Sequence, residues 1–504
     1  MLFFKKSPQV VIRPRAEHPL SRKQISPEAL KVLYRLNEDG FKAYLVGGSV
    51  RDLLLGRQPK DFDISTDAHP REIKRLFRNC FLVGRRFRLA HVVFGDKVIE
   101  TSTFRRQPDE TVQMADENAP GALYQSSDNT FGTPEEDAKR RDFTVNGLFY
   151  DIKTFEIIDY VGGLRDLDRR VLRAIGDPNV RFREDPVRMM RAVRLAARLE
   201  MTIERKTYRA IRSHHREIQQ ASSARVLEEI FRLFAFHASA KTFRLLWDSG
   251  LMASLMPALD HYVRQSGKEQ SPLWDSLERM DAMERQAGAE FSNGLRLAVL
   301  AYPLFAAALA AAGGREAAGV HHLELAEHCL ADFNARFKLP KTIYYHVLHL
   351  LDDQQRLAVK PAPGRRIRPG RVQQFADALL LARIVAGSSA ETTAILDAWQ
   401  ALMPASPQAS RPPPGVDRRR QTARPDRATP DRAAADQPDG VPAESGEDAD
   451  AKTPSAGAGG AEGQTPRRRK RRGGRRHHRR TDERRADVET PAATPRTPHV
   501  SLPG

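Results

Sequence analysis

Apolar positions change their period twice along this chain. From Pro27 they recur every three or four residues, with Leu30, Val32, Leu33 and Leu36 running into the polar stretch NEDG, a pattern that predicts a helix. Residues 1–26 before it are polar and basic without a clear period and read as a flexible basic arm. AYLV, Ala43 to Val46, is a continuous apolar run stopped by Gly47 and Gly48, which predicts a buried strand. VRDLLLG follows as a short helix ended by Gly56. FDIST is the next predicted strand, HPREIKRLF a helix, and HVVFG with VIETSTF a hairpin. Residues 106–133, rich in Gly, Asp, Ser and Asn, predict a mobile loop. Strands and helices thus alternate to about residue 160, and beyond Asp166 the pattern is helical to about residue 402. Within that half, VLEEIFRLF sets Leu227, Ile230, Phe231 and Phe234 at the i, i+3, i+4, i+7 spacing of a packed helix face. From about Pro404 the chain turns to Pro, Ala, Gly, Asp and Arg, with no aromatic residue after 410, so disorder is expected there.

Composition changes this picture in three places. The 504 residues are 40 % hydrophobic, enough for two or three domains with a substantial core. The net charge of +18 favours polyanionic partners, and only +7 of it lies in residues 411–504, so the folded part is basic as well. Cys80 and Cys329 are the only cysteines, which excludes a disulfide framework or a thiolate metal site and fits a reducing compartment. The N-terminal residues carry no apolar segment of secretory length. The longest apolar run, Leu297 to Ala312, contains Pro303 and is shorter than the roughly 20 residues of a bilayer span. It reads as a buried helix, and the expectation is a soluble, cytoplasmic chain without membrane contact.

Candidate chemistry begins at KDFDIST. On a strand, residues two apart share a face, so Asp61 and Asp63 stand side by side and repel unless a cation lies between them. LVGGSVRDLLLG precedes them as strand, glycine turn and helix start, an arrangement whose backbone N–H groups suit phosphate oxygens, with Arg51 adding positive charge. Paired hard carboxylates beside a phosphate cradle suit a nucleoside triphosphate bridged by Mg²⁺. Further on, RRDFTVNGLFYD offers Asp142 beside two arginines, as a third acid or simply as a cap or ion-pair partner. Glu100 in VIETSTF is a rival third carboxylate, on a strand able to lie near Asp63. In REDPVRMMRAVRLAARL, Pro186 marks a helix start, and Arg188, Arg191, Arg194 and Arg198 line one face, either solvated or functional. Asp185 and Arg188, three apart, offer an acceptor and a fork of donors to a base edge. His321, His322 and His328 near Asp332 show no ligand spacing for a metal-dependent phosphohydrolase and read as a helix surface.

Three segments together, LVGGSVRDLLLGRQPKDFDIST, RRDFTVNGLFYD and YVGGLRDLDRRVLRAIGDPNVRFREDPVRMMRAVRLAARL, resemble the class II nucleotidyltransferases, which include tRNA CCA-adding enzymes and bacterial poly(A) polymerases. FRNCFLVGRRFRLAHVVFG and the long basic extension resemble the polymerase branch in particular. The resemblance implies an α/β nucleotidyltransferase head (27–165), an all-α neck (166–235) and body (236–403), and a disordered basic C-terminal tail (404–504). It implies template-independent addition of AMP from ATP to RNA 3′ ends with Mg²⁺ or Mn²⁺, and tails that promote RNA decay. Asp61 and Asp63 match the family's metal-binding pair, and Asp142 a third residue with a catalytic role. Gly47, Gly48 and Arg51 match the phosphate-side motif, and Glu184, Asp185 and Arg188 the base-selecting element. Asp52, Arg141 and Arg191 complete the nucleotide-binding candidates. In the tail, Arg467, Arg468, Arg469, Lys470, Arg471 and Arg472 are candidates for contacting RNA phosphates, decay proteins or the ribosome. A monomer is expected. Two other readings stand beside this one: a CCA-adding enzyme on the same scaffold, and an RNA-binding scaffold with a vestigial transferase site.

Overall fold

Among the described residues, eight short strands make one mixed sheet from the first 160 residues: β1 (Val11–Arg13), β2 (Ala43–Val46), β3 (Asp63–Thr66), β4 (Cys80–Val83), β5 (Leu89–Phe94), β6 (Lys97–Thr103), β7 (Leu148–Asp151) and β8 (Ile157–Asp159). Their order is β1-β8-β7-β2-β3-β6-β5-β4, with β3 and β6 parallel and the other neighbours antiparallel. The computed structural model describes residues 10–84, 89–106, 131–267, 270–313, 321–364, 367, 372–387 and 389–403. Most of the predicted mobile loop (residues 107–130), the RRFR of GRRFRLAHV, and the whole tail with Arg467–Arg472 lie outside the described residues.

Alternation along β2 and β3 sorts the head into two layers. Val46 pairs with Asp63 and Tyr44 with Ser65, so these four residues share one face of the sheet. Val46 packs there with Phe104, Ala138 and Phe149 in a small apolar cluster. The opposite face carries Leu45 and Ile64, covered by α1 (Pro27–Glu38) through Ala29, Val32, Leu33 and Leu36. Ser26 caps α1 by accepting from the Ala29 N–H, and Pro27 at the first position removes a donor that would have had no partner. α2 (Gly48–Leu54) and α3 (Pro70–Leu76) fall where the patterning put them, as does the β5–β6 hairpin. α4 (Pro134–Arg140) begins with a capping box between Thr133 and Glu136.

Residues 10–26 differ from the expected arm. β1 hydrogen-bonds to β8 as an edge strand, Leu20 and Ile25 are buried, and Arg13 pairs with Asp168 at 2.7 Å. A three-residue strand leaves no periodic trace, which is why the sequence pattern missed it.

Beyond the sheet the chain is helical: α5 (Gly163–Asp168), α6 (Pro178–Glu184), α7 (Val187–Leu199), α8 (Arg205–His214), α9 (Ser223–Leu233), α10 (Ser239–Asp248) and further helices to Gln400. The Asp159 carboxylate accepts from the N–H groups of Val161, Gly162, Gly163 and Leu164 and so nucleates α5. The expected all-α neck holds one exception, a two-residue parallel pairing of Val171–Leu172 with Thr202–Ile203 that ties the end of α7 back to the head. The helix Asn293–Ala311 is, among the described residues, the one long and apolar enough to cross a membrane by length and composition. It packs instead as a core helix, with 61 % of its most apolar stretch buried, and Leu295, Ala298, Val299 and Phe305 are enclosed.

His18 shows how the N-terminal segment is held. Its Nε2 bonds the Phe155 carbonyl at 2.9 Å, while Nδ1 is buried without a partner. Burial lowers its pKa from the ordinary value, opposed by the Phe155 bond and reinforced by Arg15 and Arg13. A histidine held neutral in the fold takes up fewer protons than in the unfolded chain, so its contribution to stability is present at neutral pH and lost as pH falls below about 6.5. The melting temperature is therefore expected to fall more steeply between pH 7.5 and 5.5 for the wild type than for His18→Gln, by differential scanning fluorimetry; parallel curves would refute this role.

Candidate active site

The turn between β2 and α2 needs glycine for its backbone, and Arg141 lies close against it. Gly47 sits at φ +71°, and a Cβ there would lie 2.8 Å from Arg141 Nη1. α2 then starts at the floor of a cleft between the head and α7, α9 and the helix Asn293–Ala311. The cleft has two lobes of about 680 and about 500 Å³ that share Gly48, Arg51, Asp63, Arg191, Arg194 and Arg198. The first lobe adds Asp52, Lys60, Asp61, Phe231 and Phe236; the second adds Gly47, Arg141, Asp142, Asn146, Asp185 and Arg188.

The acids of this cleft are met by arginines, with the exception of one pair. Arg51 (2.7 Å) and Arg198 (2.8 Å) both bind Asp52, and Arg191 Nη2 donates to Asp142 at 2.6 Å. Arg225 Nη2 donates to Asp185 at 2.8 Å, and Arg194 Nε to Glu229 at 2.5 Å. Asp61 and Asp63 line the same lobe, and among the described residues neither forms an ion pair. Asp63 opens to solvent but is surrounded by the cleft walls. That surrounding, then Glu100, then Asp61, pushes its carboxyl up to about 6 against the pull of Arg141. Two hard oxygen donors with unbalanced negative charge fit Mg²⁺ or Mn²⁺.

The arginines, in turn, exceed their acids. Arg51 and Arg198 share Asp52, Arg140 and Arg141 share Asp137, and Arg181 and Arg188 share Glu184. Each pair leaves positive charge beside the cleft, suited to a triphosphate. Burial, with Arg51 and Arg194 nearby and Asp52 opposing, lowers Arg198 to about 10.

The predicted residues fall into three positions. Gly47, Gly48, Arg51, Asp52, Asp61, Asp63, Arg141, Asp142, Asp185, Arg188 and Arg191 are all brought to the cleft. Arg51 is buried and committed to Asp52 and to Asn146 Oδ1 at 2.5 Å, so it braces the floor. Glu184 holds Arg181 and Arg188. Asp185 and Arg188 do not bond each other: Asp185 accepts from Arg225, and Arg188 donates to the Arg181 carbonyl at 3.0 Å. The two rival third acids separate. Ile64 pairs in parallel with Thr101, which sets Glu100 beside Asp63 at the next register position. Asp142 lies in the second lobe, where burial raises its carboxyl but Arg191, Asn146 and the Phe143 N–H outweigh this and hold it well below the usual range. The arginine stripe of α7 is anchored from other elements, by Asp142, Glu229 and Asp52. Sequence reading missed Asn146, Asp137, Arg225 and Phe236; Asn146 and Asp137 flank the Arg140–Arg141 pair and could have been drawn from it, whereas Phe236 left no signal. No group of three or more metal-ligating side chains occurs among the described residues, His321, His322 and His328 included.

Two unpaired acids at the end of a mixed sheet, with a glycine turn and an arginine-rich helix across the cleft, are a combination suited to binding a metal-bridged polyphosphate. Residues 43–173 match the poly A polymerase head domain, and residues 200–263 a probable RNA and SrmB-binding site of polymerase A. The head is thus similar in sequence to the poly A polymerase head domain. The chain is 49 % identical to Poly(A) polymerase I of Escherichia coli O6:H1 over 52 % of its length, spanning 56 % of that relative. It is 38 % identical to the CCA-adding enzyme of Lactobacillus helveticus over 44 % of its length and 54 % of that enzyme. The alignments thus span little more than half of the curated relatives. The crystal structure of the Bacillus stearothermophilus CCA-adding enzyme in complex with CTP matches 75 % of this chain and 82 % of its own, with 26 % identity and a TM-score of 0.54.

If Asp61 and Asp63 hold the cation, Mg²⁺ at about ten times its dissociation constant should stabilise the wild type by about 1.4 kcal/mol, a rise in melting temperature of a few degrees. Asp63→Asn should show little of that rise; an equal rise in both proteins would place the cation elsewhere.

Proposed function

We propose that this chain adds AMP from ATP to RNA 3′ ends without a template, releasing pyrophosphate, and that it acts in the cytoplasm as a monomer whose product tails promote RNA decay. The observation that carries this reading is the pair Asp61 and Asp63, left without cationic partners in a cleft whose other acids are held by arginines.

In this reading the RNA 3′ oxygen attacks the α-phosphorus of ATP, the bond to the β-phosphate oxygen breaks, and pyrophosphate leaves on the opposite side. Asp61 and Asp63 are the residues that would hold a divalent cation, which would supply neutralisation of the charge that develops in the transfer. Gly47 and Gly48 let the phosphates approach the backbone of the turn. Arg141, held by Asp137 at 2.9 Å, directs positive charge toward Asp63 and the phosphates. Asp142 acts as a positioning residue: it orients Arg191 and accepts from Asn146 Nδ2 at 2.9 Å, and Asn146 in turn accepts from Arg51. The hydroxyl proton leaves to solvent at the open side of the cleft, where Asp61 is exposed. Asp185 and Arg188 line the lobe that takes the adenine, and Asp185 is pre-set there by Arg225. The identity to Poly(A) polymerase I favours ATP and generic RNA; the likeness to CCA-adding enzymes supports a second reading, CTP and ATP addition to tRNA.

Asp61→Ala and Asp63→Ala are each expected to lower AMP incorporation by at least about 100-fold, since each removes a group that neutralises charge at the reacting phosphate. Circular dichroism should show an unchanged fold. Near-wild-type turnover by either variant overturns the assignment. With ATP alone, an unrelated oligoribonucleotide should receive a long A tail; incorporation confined to CTP on tRNA lacking its terminus would select the CCA reading.

A further inference from the structure

Phe236 is a side chain that core packing does not explain. It stands between α9 and α10 at φ +66°, ψ +26°, a left-handed backbone that strains a bulky residue, and His237 follows at φ +53°. Buried groups hold the turn in place: Glu284, fully enclosed, accepts from His237 Nδ1 at 3.3 Å and from Arg296 Nε at 2.9 Å, and the Asp281 carboxylate accepts from the Ser239 and Ala240 N–H groups. The strained turn does not bury the ring, which stays 40 % exposed. One side of it lies on the Arg198 guanidinium, 3.5 Å from the ring centroid, and Arg198 is tied through Asp52 to Arg51 at the cleft floor. The rest of the ring lines the lobe that contains Asp61 and Asp63, beside Phe231 and Arg232.

An in-line transfer brings the attacking group and the leaving group to opposite sides of one phosphorus. The lobe of Asp185 and Arg188 and the lobe of Phe236 adjoin along a shared wall that contains Arg51 and Asp63. With the incoming nucleotide's base in the first, the last nucleotide of the acceptor enters by the second. We propose that Phe236, backed by Arg198, is the platform on which the 3′-terminal base of the acceptor RNA stacks, so that its 3′ oxygen is presented to the acid pair. This rests on the reading of the site as an RNA-end transferase. Stacking on an aromatic face accepts any base, and the cation behind the ring adds to the attraction.

The test is equilibrium binding of a short fluorescent oligoribonucleotide to the full chain without ATP, with its 3′-terminal nucleotide either intact or abasic. The wild type should bind the abasic oligonucleotide about 10-fold more weakly. Phe236→Ala should bind the intact one as weakly as the wild type binds the abasic one, and should no longer distinguish them; Phe236→Trp should restore the difference. In steady-state assays Phe236→Ala should raise KM for RNA while KM for ATP stays within about twofold. Equal binding of both oligonucleotides by the wild type overturns the proposal, as does an equal loss for both in Phe236→Ala. A rise confined to KM for ATP would assign the ring to the incoming nucleotide instead. Because the binding experiment needs no turnover, absence of AMP addition by the wild type would defeat the transferase reading without deciding the role of Phe236.

Discussion

Everything in this cleft depends on how its charge is left unbalanced. A buried or half-buried carboxylate is tolerable when a guanidinium meets it, and Asp52, Asp137, Asp142, Asp185 and Glu229 are all met in this way. Asp61 and Asp63 are not, and the cost is visible in the raised carboxyl of Asp63. The surrounding arginines are more numerous than the acids they bind. A site with localised negative charge at two adjacent oxygen donors and diffuse positive charge around it suits a metal-bridged polyphosphate better than it suits either partner alone.

The arginines of α7 perform that division of charge. Their spacing of three and four residues puts them on one face, but each is fixed by an acid from a different element: Arg191 by Asp142 in the head, Arg194 by Glu229 on α9, Arg198 by Asp52 on α2. The helix therefore works as a strut that ties the neck to the head along the wall the two lobes share. Its other face, through Met189, Met190, Val193 and Ala197, is buried in the core and fixes its rotation. A charge stripe that would be solvated on an isolated helix is here the seam of the structure.

Much of the head was legible beforehand because its elements follow local rules. The AYLV run, the glycine turn, the alternation in FDIST and the hairpin of HVVFG with VIETSTF all appear as read, since strand burial, glycine conformations and period-two patterning act over a few residues. The edge strand Val11–Arg13 and the pairing of Val171–Leu172 with Thr202–Ile203 were not legible, because two or three residues carry no period and their partners lie far along the chain. The same distinction divides the site. The spacing of Asp61 and Asp63 predicts one strand face; in the structure only Asp63 lies on β3 and Asp61 precedes it, and the two meet as lining of one lobe, whereas the places of Asp142 and Glu100 depended on β3–β6 register and on where α7 sets Arg191.

The sequence by itself determined the alternating head, the nearness of the two acids, the glycine turn and the arginine stripe, since each is a matter of residue type and short spacing. Only the tertiary structure decided which acids would be neutralised, that Glu100 would come beside Asp63 while Asp142 binds Arg191, and that a strained turn would bring Phe236 onto Arg198 at the cleft wall. Those outcomes arise from contacts between residues tens to well over a hundred positions apart, and ion pairing acts through distance in space, on which local pattern is silent.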